Sequence, residues 1–245
     1  MDKSRIEWTD STWNPITGCD KVSNGCDHCY AETMALRLRA MGSTRYANGF
    51  GMTIHEDLFE LPLQWKRPRN IFVNSMSDLF HEEVPLDVLK RIFDTMNKAY
   101  WHNFQILTKR AMELLKYAPE LNWTPNIWMG VTIESDRYLH RLRALQSVPA
   151  TVRFVSFEPL LSGIPADTDL TGIDWAIVGG ESGPSARPME ESWALGIQDL
   201  CRRDNLAFFF KQWGGVNKKA AGRLLGGQTW DEMPEAKLDR VLVGE

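Results

Sequence analysis

Short runs of apolar residues, rich in β-branched and aromatic side chains, recur along the chain at 70–73, 104–107, 127–131, 152–155, 175–178 and 207–210. Runs of this length and make-up predict buried strands. Between them the apolar positions change period. Val88, Leu89, Ile92, Phe93 and Met96 fall on one face of a helix over 86–98, with Pro85 suited to its start. Further helices are predicted over 30–41 with Gly42 as stop, over 111–117 before Pro119, on the stripe Tyr138, Leu139, Leu142 and Leu145, and over 195–203. A weaker strand is expected over 12–17, where Pro15 interrupts it. Strand and helix therefore alternate, the rhythm of a parallel sheet covered by helices, whose commonest large form is a barrel.

Two stretches break the rhythm. Residues 42–69, with Gly49, Gly51, Pro62 and Pro68, read as an insertion ahead of the second strand. Residues 214–245, with glycine pairs at 214–215 and 226–227, read as a C-terminal extension that forms a loop or cap. The expectation is one domain over 1–245.

Polar residues stand directly after each strand. Asn74, Ser75, Ser77, Asp78 and His81 come after the first long run, and Thr108, Lys109 and Arg110 after the next. Then come Thr132 and Glu134, Ser156 and Glu158, Gly179 to Ser182, and Lys211 with Gln212. In a parallel α/β barrel these positions converge on one rim, where active sites are built. Ser75, Thr132 and Ser182 taken singly read equally well as helix caps. Glu158 and Lys211 are poor caps beside very apolar strands, which favours a site role.

Composition narrows the class. The chain has 245 residues, 43% hydrophobic, with a formal net charge of −4. That length supports a substantial core, and the charge gives no global attraction to nucleic acid. The arginines at 137, 141 and 143 read as a solvated helix face rather than a phosphate track. The ten tryptophans read as packing between barrel and loops. No long apolar run predicts a membrane span and the N-terminus carries no apolar signal region, so a soluble cytoplasmic protein is expected.

Three of the four cysteines, Cys19, Cys26 and Cys29, fall in the spacing C-x6-C-x2-C directly after the first candidate strand. In a reducing compartment thiols so grouped are ligands rather than disulfides. A structural zinc site calls for four ligands; His28 and His55 are the nearest candidates, and Cys201 reads as a core thiol. A 4Fe–4S cluster on three cysteines instead leaves one iron open to a small ligand.

Cysteines so placed resemble the radical S-adenosylmethionine superfamily. Residues 6–19, with the segments 75–81, 156–160 and 179–183, are similar to the phage-associated three-Cys-motif proteins of that superfamily, over nearly the whole chain. The usual superfamily spacing is C-x3-C-x2-C; here six residues separate the first two cysteines, and His28 stands where an aromatic residue usually precedes the third. The resemblance implies an α/β partial (β/α) barrel. It implies a 4Fe–4S cluster on Cys19, Cys26 and Cys29, and S-adenosylmethionine cleaved reductively to a 5′-deoxyadenosyl radical. A flavodoxin or ferredoxin is the implied electron donor, with a nucleotide or nucleic acid as the candidate substrate.

By the same analogy Ser75, Ser77 and Asp78 take the cofactor's amino group, in place of the usual Gly-Gly-Glu. Lys109 takes its carboxylate, with Lys211 second. Thr132, Glu134 and Ser156 take the ribose, and Gly179 and Gly180 admit the adenosyl group. Glu158, Glu181, Lys211 and Gln212 are left to orient substrate. The competing reading is a non-catalytic zinc-binding or iron–sulfur redox or interaction protein.

Overall fold

A computed structural model describes residue 4 and residues 6–235 of the chain; the first residues and 236–245, the end of the expected C-terminal extension, lie outside it. In chain order the strands are β1 (Ser11–Trp13), β2 (Ile16–Thr17), β3 (Thr53–Ile54), β4 (Asn70–Val73), β5 (Asn103–Thr108), β6 (Ile127–Thr132), β7 (Arg153–Phe157), β8 (Trp175–Gly179) and β9 (Ala207–Gln212). The helices are α1 (Tyr30–Ala40), α2 (Leu86–Lys98), α3 (Ala111–Tyr117), α4 (His140–Gln146), α5 (Glu191–Asp204) and α6 (Lys218–Ala221). Seven strands make one sheet in the order β1-β4-β5-β6-β7-β8-β9, every neighbouring pair parallel. This is an α/β partial barrel with its helices outside.

The expected strand over 12–17 is two strands. Pro15 has no N–H to give a ladder, and its carbonyl instead accepts from the His55 amide at 2.8 Å. β1 pairs with β4, whereas β2 leaves the main sheet and pairs antiparallel with β3, inside the insertion. The stripe from Tyr138 to Leu145 also divides, into a 3-10 turn Asp136–Tyr138 and then α4. α5 begins at Glu191, four residues before its first expected position, and stops where Asn205 turns left-handed at φ 55°.

Alternation along each strand sorts the side chains into two cores. Val73, Ile106, Met129, Val155, Val178 and Phe210 face outwards and share one core with Leu89, Ile92, Phe93 and Met96 of α2, Leu142 and Leu145 of α4, and Ile197 of α5. Each such side chain fully withdrawn from water contributes about 1.5–3 kcal/mol. The inner face carries Phe72, Trp128, Phe154, Trp175, Ile177 and Phe209. Trp8, just ahead of β1, plugs this concave side; its ring centroid lies 4.8 Å from Phe72 and 6.0 Å from Trp175. One indole touching both β4 and β8 requires the sheet to curl. Gly130 makes room for the Phe154 ring, which would meet a Cβ there at 2.5 Å.

The extension caps the β9 edge. Phe210 donates its amide to the Trp230 carbonyl at 2.9 Å, Asp231 bridges Phe209, and the Glu232 carbonyl accepts from the Trp175 indole at 2.9 Å. No helix among the described residues is long and apolar enough to cross a membrane.

Candidate functional site

The cysteine loop leaves the end of β2 and lies across the C-terminal ends of the parallel strands. It starts at Gly18, where φ is +86° and an added Cβ would sit 2.2 Å from the Gly51 carbonyl oxygen. Only glycine tolerates both the left-handed backbone and that approach. The Gly18 amide donates to the Met76 carbonyl at 2.9 Å and the Cys19 amide to that of Phe50 at 3.1 Å, so the insertion props the start of the loop. Cys19, Cys26 and Cys29 are free, half-buried, and border one cavity of about 420 Å³. Its rim is made by residues at or just beyond the strand ends: Asn74, Lys109, Thr132, Ser156, Gly180 and Gln212. Its floor is apolar, from Ile6, Trp8, Phe72 and Leu107.

Two acids pin the loop from opposite sides. Glu134, beyond β6, is fully buried; Ser23 Oγ donates to its Oε1, and Arg141 Nη1 donates to its Oε2 at 2.7 Å. Arg141 also donates to the Thr132 carbonyl at 2.8 Å and stacks its guanidinium 4.3 Å from the Tyr138 ring centroid. The Tyr138 hydroxyl accepts from the Asn24 amide at 3.2 Å. Arg141 is thus a buried partner of Glu134, correcting the solvated-face expectation: the turn before α4 points it inwards.

Glu181, beyond β8, is the second pin. It accepts from the Arg187 amide and Nε at 2.9 Å each and from Nη2 at 2.5 Å, and its Oε2 lies 3.0 Å from His28 Nδ1. Burial pushes the Glu181 carboxyl up, but the Arg187 side chain and amide, with His28, outweigh it and hold the group at about 2.

A third group steadies Cys19. Arg110 Nη2 lies 3.6 Å from its sulfur and donates to the Asp20 carbonyl at 3.2 Å, while Nη1 pairs with Glu82. Burial, and then the Asp78 carboxylate, push the Cys19 thiol up to about 11 against the pull of Arg110.

Most residues expected at the site border the cavity, some with their polar groups already engaged. Asp78 is buried and accepts from Thr108 Oγ1 at 2.7 Å and from the Lys109 and Phe80 amides at 3.0 Å each. Ser75 donates to Asn14 Oδ1 and Ser77 to the Ile16 carbonyl. Lys109 borders the cavity with no ion pair to its ammonium among the described residues. Thr132 Oγ1 is buried without a partner, and Ser156 lies beside it on the rim. Glu158 and Lys211 form an ion pair on the cavity wall at 2.7 Å.

Glu134 and Gly179 do not border the cavity. Glu134 is occupied by Ser23 and Arg141, so the geometry gives it a loop-holding task in place of the expected ribose contact. Glycine at 179 leaves space under the Glu158 carboxyl, 3.3 Å from a Cβ there; at 180 the Trp213 carbonyl would lie 1.9 Å away. Close packing against backbone therefore calls for glycine at 180, whereas at 179 a small shift of the Glu158 side chain would admit a Cβ.

Arg110, Arg141 and Arg187 were not among the site residues expected from sequence. Arg110 was legible as a residue following a strand, and Arg187 only as an arginine in the Gly- and Pro-bearing segment after β8. Asn74 at φ 59°, with a buried and unpartnered Nδ2, is a further rim residue that the sequence marks only by its position after β4.

The donors on offer to a bound group are the three cysteine thiols. Among the described residues no three His, Cys, Asp or Glu side chains are grouped to hold one metal ion. The three thiols border a common cavity together with Asp20 and His28, and the Arg110 cation next to Cys19 suits a group that carries thiolates.

In fold, the chain is similar to a solved structure of spore photoproduct lyase complexed with dinucleoside spore photoproduct. Identity is 12% and the TM-score 0.43; the match covers 78% of this chain but only 60% of that one. No curated protein matches the sequence. A family model described as "Protein of unknown function (DUF5131)" matches residues 3–234, and the chain belongs to that family.

Proposed function

We propose that the chain is a radical S-adenosylmethionine enzyme of the three-Cys-motif type, with Cys19, Cys26 and Cys29 as the ligands of a 4Fe–4S cluster. The observation that carries this reading is that three free thiols border one cavity at the C-terminal ends of a parallel half-barrel. When bound, such a cluster supplies the electron that cleaves S-adenosylmethionine. The chain's own residues bind and orient. Lys109 meets the cofactor's carboxylate, Thr132 and Ser156 its hydroxyls, and the remaining lone pair of Asp78 Oδ2, with Ser75 and Ser77, borders the place for its ammonium. The apolar floor of Trp8, Phe72 and Leu107 keeps water from the reacting centre and suits a planar ring, consistent with a nucleotide or nucleic-acid substrate. The Glu158–Lys211 pair on the wall is left to orient that substrate.

Anaerobic reconstitution with iron and sulfide, reduction and addition of S-adenosylmethionine should give 5′-deoxyadenosine by chromatography. Cys26→Ala should abolish both the cluster absorbance and the product. A cluster without the product, candidate substrates present, sinks the radical mechanism and leaves an iron–sulfur redox protein; stoichiometric zinc in colourless protein leaves the interaction module.

A further inference from the structure

We propose that Arg187 is the positioning residue of the cysteine loop, tying the Cys26 and Cys29 end of that loop to the end of β8. Its guanidinium donates through Nε and Nη2 to Glu181, through Nη2 to the Asn24 carbonyl at 2.7 Å, and through Nη1 to the Asp27 carboxylate at 3.4 Å. Asn24 and Asp27 flank Cys26, and His28, which also touches Glu181, precedes Cys29.

The chemistry calls for an arginine. Glu181 at the strand end, Asn24 through its carbonyl and Asp27 through its carboxylate are all acceptors, so none can hold another directly. A planar fork with five donors bridges them, where the single ammonium of lysine has neither the reach nor the directions. Glu181 is only 5% exposed and takes the Arg187 amide as well as its side chain, so the fork is anchored before it reaches the loop. Cys19 is held by other groups, the Phe50 carbonyl and Arg110. The two ends of the loop therefore have separate supports, and loss of Arg187 should loosen only the Cys26 and Cys29 end, where Ser23–Glu134 and Asn24–Tyr138 remain.

The purpose of this tie rests on the proposed function, but its existence does not. The test is peptide-resolved alkylation of the cluster-free, reduced protein with N-ethylmaleimide, in wild type, Arg187→Ala and Glu181→Gln. Cys201, 1% exposed on α5, reports global unfolding in the same sample. In Arg187→Ala, Cys26 and Cys29 should label at least about tenfold faster, with Cys19 and Cys201 near their wild-type rates. Glu181→Gln, which keeps the side-chain shape, should give a smaller rise of the same pattern. Millimolar guanidinium should restore slow labelling in Arg187→Ala, which a general loss of stability would not allow.

Unchanged rates at Cys26 and Cys29, rates that rise in step with Cys201, or no response to guanidinium would each overturn the assignment. If Arg187→Ala does not fold, Glu181→Gln reads the same tie. In reconstituted protein, the reduced-cluster electron paramagnetic resonance spectrum of Arg187→Ala should differ from wild type. Failure of wild type itself to take up a cluster would count against the proposed function, and the labelling result would still stand.

Discussion

Replacing Arg141 by methionine removes one member of an ion pair that is buried on both sides, Arg141 being 3% and Glu134 0% exposed at their side chains. Methionine preserves much of the volume, so cavity formation adds little. The losses are a charge-assisted bond at 2.7 Å to Glu134, a bond at 2.8 Å to the Thr132 carbonyl and the contact with Tyr138. A carboxylate remains with only the neutral Ser23 hydroxyl donating to it. Breaking a buried pair from one side costs about 3–5 kcal/mol, because the survivor is charged and unsolvated. At this chain length each kcal/mol lowers Tm by about 2–4 °C, so a fall on the order of 10 °C is expected. Glu134→Gln in the same molecule neutralises the stranded charge and keeps an acceptor for Ser23. The double variant should therefore recover about 1–2 kcal/mol over the sum of the singles. Urea denaturation of the cluster-free protein under reducing conditions measures all four corners of the cycle. An Arg141→Met loss under about 1 kcal/mol, or strict additivity, would refute the account of Glu134 as a charge held by Arg141.

The geometry carries three other expected outcomes. Gly180→Ala would press a Cβ into the Trp213 carbonyl at 1.9 Å, and should cost about 2–4 kcal/mol by thermal denaturation. Glu181 has its carboxyl pKa lowered to about 2, so its contribution is fully present above the ordinary carboxylate range near 4.5 and is lost as pH falls towards 2. Wild type should accordingly lose up to about 3 kcal/mol across that window, and Glu181→Gln visibly less, by urea melts at stepped pH. Lys109→Gln should weaken S-adenosylmethionine binding to the reconstituted protein at least about tenfold by calorimetry with cluster content unchanged; equal affinity removes Lys109 from the cofactor site.

The order of β4 to β9 and α1 to α5 was legible because these strands are largely buried on both faces and the outer helices on one, which writes different periods into the sequence. β3 and α6, in the insertion and the extension, were not legible. α2 was readable to the residue since Val88, Leu89, Ile92, Phe93 and Met96 all enter the core. The rim was legible too, as the polar residue after each strand. Which of those residues face the cavity was not. Glu134 and Thr132 stand two positions apart, yet one is taken by Ser23, 111 residues away in sequence, and the other has an unpartnered hydroxyl. Nothing local to Glu134 encodes Ser23. Arg187 escaped for the same reason, as its partners at Asn24 and Asp27 come from the other end of the chain.

The six residues between Cys19 and Cys26 take on a different meaning once their supports are known. Cys19 rests on Phe50, while Ser23 is fixed by Glu134 and Asn24 by Tyr138 and Arg187. Between these footings lie Asp20, itself met by Arg110 and His81, then Lys21, which reaches Asp27 and Glu32, and Val22; all three are exposed. The loop behaves as a short span resting on two piers, and the piers set where the sulfurs lie. A residue added or removed beside Val22 would then leave both piers, and the thiols they carry, where they are.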